Sequence, residues 1–347
     1  MAGVVKEKCL VTLSVVVPAF NCQDTIEECL RSIRQSTYSH YELIVADDGS
    51  SDRTASIARA YADKLVLLPH GGRVSARKNG LKVAEGQILV NIDSDILVAA
   101  DTLARISRFF EVHPHVDALT GCLSKCTPDP GFFSQYKNLY MHYIFSQLPE
   151  RVTFLYGSIY AFRVGSHDFH LTLKKAHVGV KIADDTALGQ SFAAAGKPIA
   201  FLKDLQVTHL KGFNLFSFLK NDFAIPFDWA KIFFRNRGWT QIGKHGTGFC
   251  HAPKEQLLSV ILVPLLLTLL ILVFLGRIPV CVPFFGIPLW FLLNMRFLAF
   301  LAREKRVIFG LQSIPVTFFD HLVMAAGIAC GSISFMLGLI RREKVPS

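Results

Sequence analysis

"QILVNIDSDILVAADT", Gln87 to Thr102, decides how the first part of this chain is read. An apolar run from Ile88 to Ile92 ends in Asp93-Ser94-Asp95 and then returns to apolar residues. In a strand, residues i and i+2 face the same way. Asp93 and Asp95 would then repel each other on one face unless a cation sits between them. A turn would instead expose both.

The segments upstream of this stretch have the same form. "CLVTLSVVVPAF" is a β-branched run closed by Pro18, which reads as a strand and its exit. "DTIEECLRSIRQS" carries Ile26, Cys29, Leu30 and Ile33 at helical spacing behind a possible cap at Asp24. "YELIVADDGS" is a second strand ending in acids and a glycine turn. "SDRTASIARAYAD" is a second helix with Ser51 or Asp52 as its cap, "KLVLLPHGG" a third strand, and "VSARKNGLKVAEG" a third helix closed by Gly86. Strand and helix alternate over short connections, which predicts an α/β unit with a mainly parallel sheet. Ligands of such sheets bind beyond the carboxyl ends of the strands. "PAFN", "DDGS" and "DSD" each fall at such an end, so three polar clusters far apart in sequence are expected on one rim.

Downstream, "VDALTGCLSKC" and "TFLYGSIYAFRVG" read as further strands, with the aromatic, helix-like "GFFSQYKNLYMHYIFSQ" between them. "KIADDTALGQSFAAAG" puts two acids at the start of a helix, where the dipole favours them. The 213–240 segment repeats Phe and Trp at roughly helical spacing with Lys220, Lys231, Arg235 and Arg237 between, which predicts an amphipathic helix at a membrane surface. Segments 257–275 and 278–301 are long enough to cross a bilayer, Arg296 reaching toward one end of the second. "VIFGLQSIPVTFF" stops at Asp320-His321 and is expected in the interface, and 322–340 is a third crossing rich in small residues. "REKR" at 303–306 is expected on the cytosolic side. A third crossing puts "RREK" at 341–344 on the other side, so two to three crossings are expected. The predicted division is therefore 1–250, the α/β domain including the interfacial segment, and 251–347, a multi-pass membrane domain.

Composition agrees with this division. The 347 residues are 51% hydrophobic, and Lys and Arg exceed Asp and Glu by 10. A basic surplus suits phosphorylated ligands or anionic lipid. No helix-turn-helix, finger or RNA-binding aromatic signature is present, so nucleic acid is not expected as a partner. The eight cysteines contain no Cys-x-x-Cys pair and are expected as reduced thiols. The spacing of Cys122, Cys126, Cys250 and His251 fits no common zinc pattern. "MAGVVKEKCL" is too short and polar for a signal peptide, so the N-terminal part is expected in the cytosol.

Taken in order, "VVVPAFN", "ADDGSSDRT", "SARKNG", "NIDSD", "ADDTALG" and "RNRGW" resemble the motifs of the family 2 glycosyltransferases of GT-A (Rossmann-like) fold. The resemblance covers roughly residues 10–240. It implies a nucleotide-sugar donor whose diphosphate is held by Mg²⁺ or Mn²⁺ at Asp95, with Asp93 nearer the ribose or a metal-bound water. That metal would be the cation between the two acids. The resemblance also implies that Pro18, Phe20, Asn21, Asp47 and Asp48 form the nucleobase and ribose pocket, and that Arg77 approaches the nucleotide. Lys78 departs from the usual asparagine. Asp184 and Asp185 match the acidic pair whose second member is the catalytic base of an inverting displacement. Arg235, Arg237 and Trp239 fall in an Arg-Trp motif at the acceptor or diphosphate, altered here by Gly238.

A general base is needed for a hydroxyl acceptor and not for an already ionised phosphate. The acidic pair therefore favours a hydroxyl on a membrane lipid or lipid-linked glycan. The competing readings are a polyprenyl-phosphate sugar transferase, a polysaccharide synthase and an inactive membrane scaffold.

Overall fold

The computed structural model describes residues 11–165, 183–236 and 252–343, with side chains to residue 338. Two compact units emerge. One comprises the chain to Ser124 with 153–176 and 191–211, and the other 125–152, 177–190 and 212–347.

The first unit is built on a sheet. Its strands are β1 (Leu13–Ala19), β2 (Tyr41–Asp47), β3 (Lys64–Leu67), β4 (Ile88–Ile92), β5 (Ile96–Leu97), β6 (Ala118–Leu123), β8 (Ile159–Arg163) and β9 (Ile199–His209), and β7 (Arg151–Val152) falls in the second unit. They run in the order β3-β2-β1-β4-β8-β6-β9-β5. The β1–β2, β2–β3, β1–β4 and β6–β9 pairs are parallel, and β8 lies antiparallel to both β4 and β6. Every residue of β1 and of β4 is buried. That is why these strands read as nearly continuous apolar runs, interrupted by the buried Ser14 and Asn91: a parallel sheet covered on both faces has no polar side. The covering helices are α1 (Ile26–Arg34), α2 (Thr54–Arg59), α3 (Arg73–Lys82) and α4 (Thr102–Val112). α1 buries Ile26, Cys29, Leu30 and Ile33, the spacing that predicted it. Its N-cap is Thr25 rather than Asp24, and no side chain closes it. At α2 the N-cap is Arg53, with no side chain closing it, rather than Ser51 or Asp52; Asp52 Oδ1 accepts from the amide of the first helical residue, Thr54, at 2.9 Å.

The second unit is helical: α5 (Phe132–Ser146), α7 (Leu215–Arg235), α8 (Lys254–Phe274), α9 (Cys281–Phe284), α10 (Gly286–Lys305) and α11 (Val307–Glu343). α6 (Asp184–Ala194) contributes residues to both units. Its core gathers Tyr136, Leu139, Tyr140, Phe218, Val260, Phe297, Leu301 and Met324. Three segments are long and apolar enough to cross a membrane: 254–274, 281–305 and 307–338.

Two features differ from the sequence reading. The expected interfacial piece and third crossing are one helix, α11. Asp320 and His321 do not break it, because both are turned inward at 1% exposure. Helix α7 also lies along α11. A Cβ on Gly327 would stand 2.4 Å from the Phe223 carbonyl oxygen, and one on Gly331 2.2 Å from that of Phe227. Small residues on α11 thus let two backbones meet. Leu215 and Phe216 of α7 remain exposed.

Candidate functional site

The register of the parallel strands brings the three polar clusters together. Ala19 is level with Asp47, and Val16 with Asn91. Asp93 follows directly on the end of β4 at Ile92. Pro18, Ala19, Phe20, Asp48, His70, Gly72, Arg73, Ala76, Asp93, Ser94 and Asp95 line one cleft of about 240 Å³.

Asp93-Ser94-Asp95 is a turn: the Ile96 amide donates back to the Asp93 carbonyl at 3.2 Å. The two carboxylates therefore do not share a strand face, and each meets its own nitrogen partner. Nη2 of Arg77 donates to Asp93 Oδ1 at 2.8 Å. Nε2 of His209 lies 3.6 Å from Asp95 Oδ2. The backbone of Asp95 is fixed as well, its carbonyl accepting from the Leu210 amide at 2.8 Å. Arg77 reaches the site from the buried face of α3, its guanidinium 5.8 Å from the Tyr160 ring centre.

The acids at the end of β2 have structural partners. Asp47 accepts from the hydroxyl of Ser50, and from its amide at 3.2 Å. Asp48 is 1% exposed. It accepts from the Gly71 amide at 2.9 Å and the Gly72 amide at 2.8 Å, and its Oδ2 lies 2.8 Å from His70 Nδ1. Gly72 has φ +87°, the left-handed region that favours glycine. Asp48 thus clamps the loop after β3 onto the end of β2. Asn21, also left-handed at φ +45°, accepts from the Ser51 amide at 2.8 Å. His70 stacks on the exposed ring of Phe20, centres 4.3 Å apart.

Of the residues singled out from sequence, Pro18, Phe20, Asp48, Asp93 and Asp95 line the cleft, and Arg77 joins it through Asp93. Asn21 and Asp47 secure the adjoining loops. Asp184 and Asp185 open α6, where Asp185 Oδ1 accepts from the Thr186 amide at 2.7 Å. Arg235 ends α7, where burial lowers its pKa and the charge of Asp228 opposes that shift. Arg237 and Trp239 lie outside the described residues, as do Cys250 and His251. Sequence reasoning missed His70, Arg73 and His209. The first two had a signal, since "PHGGR" follows β3 as the acid clusters follow β2 and β4. His209 had none, because its partner lies 114 positions away in the chain.

The described cysteines, Cys22, Cys29, Cys122, Cys126, Cys281 and Cys330, are free thiols. Burial pushes the Cys122 thiol up to about 12, with Asp204 adding to the shift.

A doubly covered sheet with a charged cleft beyond the ends of β1, β2 and β4 defines an α/β domain of the GT-A type. Residues 14–170 match the model of glycosyl transferase family 2. A glycosyltransferase of Bacillus subtilis, EpsJ, is 31% identical over 128 residues, 35% of this chain and 34% of that protein. The Escherichia coli UDP-Glc:alpha-D-GlcNAc-diphosphoundecaprenol beta-1,3-glucosyltransferase WfgD is 33% identical over 95 residues, 26% of this chain and 38% of that protein. The chain thus spans little more than a third of the length of these relatives. Among solved structures, the Pyrobaculum calidifontis mannosyltransferase PcManGT, a complex with GDP-Man and Mn²⁺, aligns over 95% of this chain and 88% of its own, with TM-score 0.54 and 18% identity. That likeness is one of fold.

Proposed function

We propose that the protein is an inverting glycosyltransferase that moves a sugar from a nucleotide-sugar donor to a hydroxyl of a membrane lipid or lipid-linked glycan. The observation that carries this reading is the cleft in which Asp93, paired to Arg77, and Asp95 stand beside Pro18, Phe20 and Asp48. Phe20 and His70 offer a stacked aromatic pair at the cleft for a base. The donor's diphosphate is accommodated near Arg73 and the turn of Asp93–Asp95.

The residues fit a divalent ion at this turn. Asp95 presents a partly exposed carboxylate beside His209. Among the described residues no three His, Cys, Asp or Glu side chains stand close enough to hold an ion alone. Asp93 and Asp95 would hold Mg²⁺ or Mn²⁺ with its remaining ligands coming from phosphate and water. Such an ion supplies counter-charge to the leaving diphosphate. Arg77 holds the Asp93 carboxylate in place, and the turn from Asp93 to Ile96 fixes Asp95. Asp185 takes the proton from the acceptor hydroxyl as that oxygen attacks the anomeric carbon.

The membrane helices and the exposed Leu215 and Phe216 suit a lipid acceptor. The printed acceptor of the Escherichia coli relative is itself a lipid diphosphate sugar. The catalytic part, 1–250, lies on the cytosolic side with 303–306, followed by a multi-pass membrane part. The experiment is a panel of nucleotide sugars incubated with purified full-length protein, a total lipid extract and Mn²⁺, with mass analysis of the products. A glycosylated lipid identifies donor and acceptor together. Absence of any sugar transfer across the panel overturns the reading.

A further inference from the structure

The cleft contains an acid that a ligand can hardly reach and a histidine that it can. The Asp48 side chain is 2% exposed, and both of its oxygens are engaged. Oδ1 accepts from the Gly71 amide at 2.9 Å, and Oδ2 from the Gly72 amide at 2.8 Å. The same Oδ2 lies 2.8 Å from His70 Nδ1. The His70 side chain, which lines the same cleft, is 60% exposed.

Three contacts fix where this imidazole stands. Its backbone is pressed onto the end of β2: a Cβ on Gly49, at φ +80°, would meet the His70 amide nitrogen at 3.0 Å and the Leu68 carbonyl oxygen at 3.1 Å. One ring face stacks on Phe20, with an interplanar angle of 25°. Nδ1 faces two oxygens of Asp48, the carboxylate Oδ2 at 2.8 Å and the backbone carbonyl at 3.2 Å. A backbone carbonyl, and a carboxylate oxygen that already takes an amide hydrogen, can only accept. Nδ1 therefore carries the ring hydrogen. In the neutral imidazole that leaves Nε2 as an acceptor. Nε2 makes no hydrogen bond among the described residues.

We propose that His70 is the residue that contacts the nucleoside of the donor, its Nε2 accepting a base N–H or a ribose O–H, and that Asp48 positions the ring. The inference rests on the cleft being a nucleotide-sugar site, and it moves nucleoside recognition from the enclosed carboxylate to the exposed ring. A nucleoside carries both N–H and O–H groups, which call for an acceptor. The ring beside Phe20 also extends a flat surface on which a base can lie. Asp48 acts through His70: it selects the tautomer and holds the ring edge. The diphosphate lies toward Arg73 and the Asp93–Asp95 turn, so the contribution of His70 is confined to the nucleoside.

The test uses the full chain in lipid nanodiscs with Mn²⁺. Calorimetry compares UDP, GDP, ADP and CDP, and the tightest binder is carried forward beside inorganic pyrophosphate, which has no nucleoside. His70→Asn keeps a donor toward Asp48 but removes the ring and Nε2. His70→Phe keeps a ring and removes both nitrogens. His70→Asn should weaken the nucleoside diphosphate on the order of tenfold, and His70→Phe by a smaller factor. Pyrophosphate affinity should stay at the wild-type value in both. Nitrogen-15 spectra of histidine-labelled protein at pH 8 should show an imidazole signal, absent from His70→Asn, with the hydrogen on Nδ1. Undiminished nucleoside diphosphate binding in His70→Asn overturns the proposal. So does an equal loss of both ligands, which would make His70 a support of the loop alone. Wild-type affinity in His70→Phe, or a hydrogen on Nε2, overturns the acceptor assignment. Wild-type protein that binds pyrophosphate but none of the four nucleotides overturns the nucleotide-sugar reading itself, an outcome distinct from the others.

Discussion

Arg77 Nη2 donates to Asp93 Oδ1 at 2.8 Å, with the arginine side chain only 5% exposed. The first acid of the Asp-Ser-Asp turn is thus neutralised by the protein itself, and the second is left beside His209. Removing the arginine would leave Asp93 ionised in a poorly solvated place. Arg77→Ala is expected to cost about 3 kcal/mol, the scale for stripping one partner from a buried pair. The check is denaturant unfolding of the variant against wild type, with nucleotide binding measured alongside. A stability within experimental error of wild type would mean that Asp93 is solvated enough to need no partner.

The second prediction concerns Asp95. If it holds the donor's ion, Asp95→Ala should weaken Mn²⁺-dependent donor binding on the order of tenfold or more, and chelator should do the same to wild type. Calorimetric titration with the nucleotide sugar, with and without Mn²⁺, reads both. Undiminished turnover in excess chelator would remove the metal from the mechanism.

The third separates acceptor classes. Asp185→Asn keeps size and removes the base. With a hydroxyl acceptor, single-turnover transfer should fall on the order of a hundredfold to ten-thousandfold, while donor affinity changes little. Near-normal transfer would point instead to a lipid phosphate, whose oxygen is already ionised. Loss of donor binding together with turnover would assign Asp185 to the donor pocket.

The fourth is a pH dependence at the edge of the sheet. Burial tends to raise the pKa of Glu42. It is outweighed by hydrogen bonds from Lys64, Ser14 and the Glu85 amide, so the carboxyl is held below its usual range. Because the folded value is depressed, this stabilisation is complete above the ordinary carboxylate range. It is lost as pH falls through the lowered value. Glu42→Gln should therefore cost about 1–2 kcal/mol near neutral pH and progressively less in acid. Unfolding curves at pH 7 and pH 3 for both proteins provide the comparison. An equal gap at the two pH values would show that the charge contributes nothing.

Much of the sheet was legible because burial on both faces leaves a direct imprint, as in Leu13–Ala19 and Ile88–Ile92. The rim was legible for the same reason: where such a run stops, a polar cluster marks the carboxyl end. The partners of these acids were less so. Asp48 reads as a base-binding acid, yet its two oxygens are held by the amides of Gly71 and Gly72, contacts made by backbone that no residue type announces. The antiparallel entry of β8 between β4 and β6 left no mark either, since a short buried strand reads alike in both directions. Asp320 reads as the end of an apolar segment. Only the fold reveals that this carboxylate is turned inward, at 1% exposure, within one continuous helix.

The strand order carries a consequence for how the protein is made. Strands β1 to β4 can pair as soon as residue 92 has been synthesised, but β6 finds its parallel neighbour only in β9, at residues 199–209. Parallel pairing across so long an interval is slow to form. Helix α7 begins at Leu215, and the first long apolar helix at Lys254. A ribosome adding about 5–20 residues per second passes from the last strand to that helix within seconds. If the apolar helices enter a bilayer during synthesis, their delivery begins while the half-formed sheet is still seeking its final strand, and the two events compete for the same nascent chain.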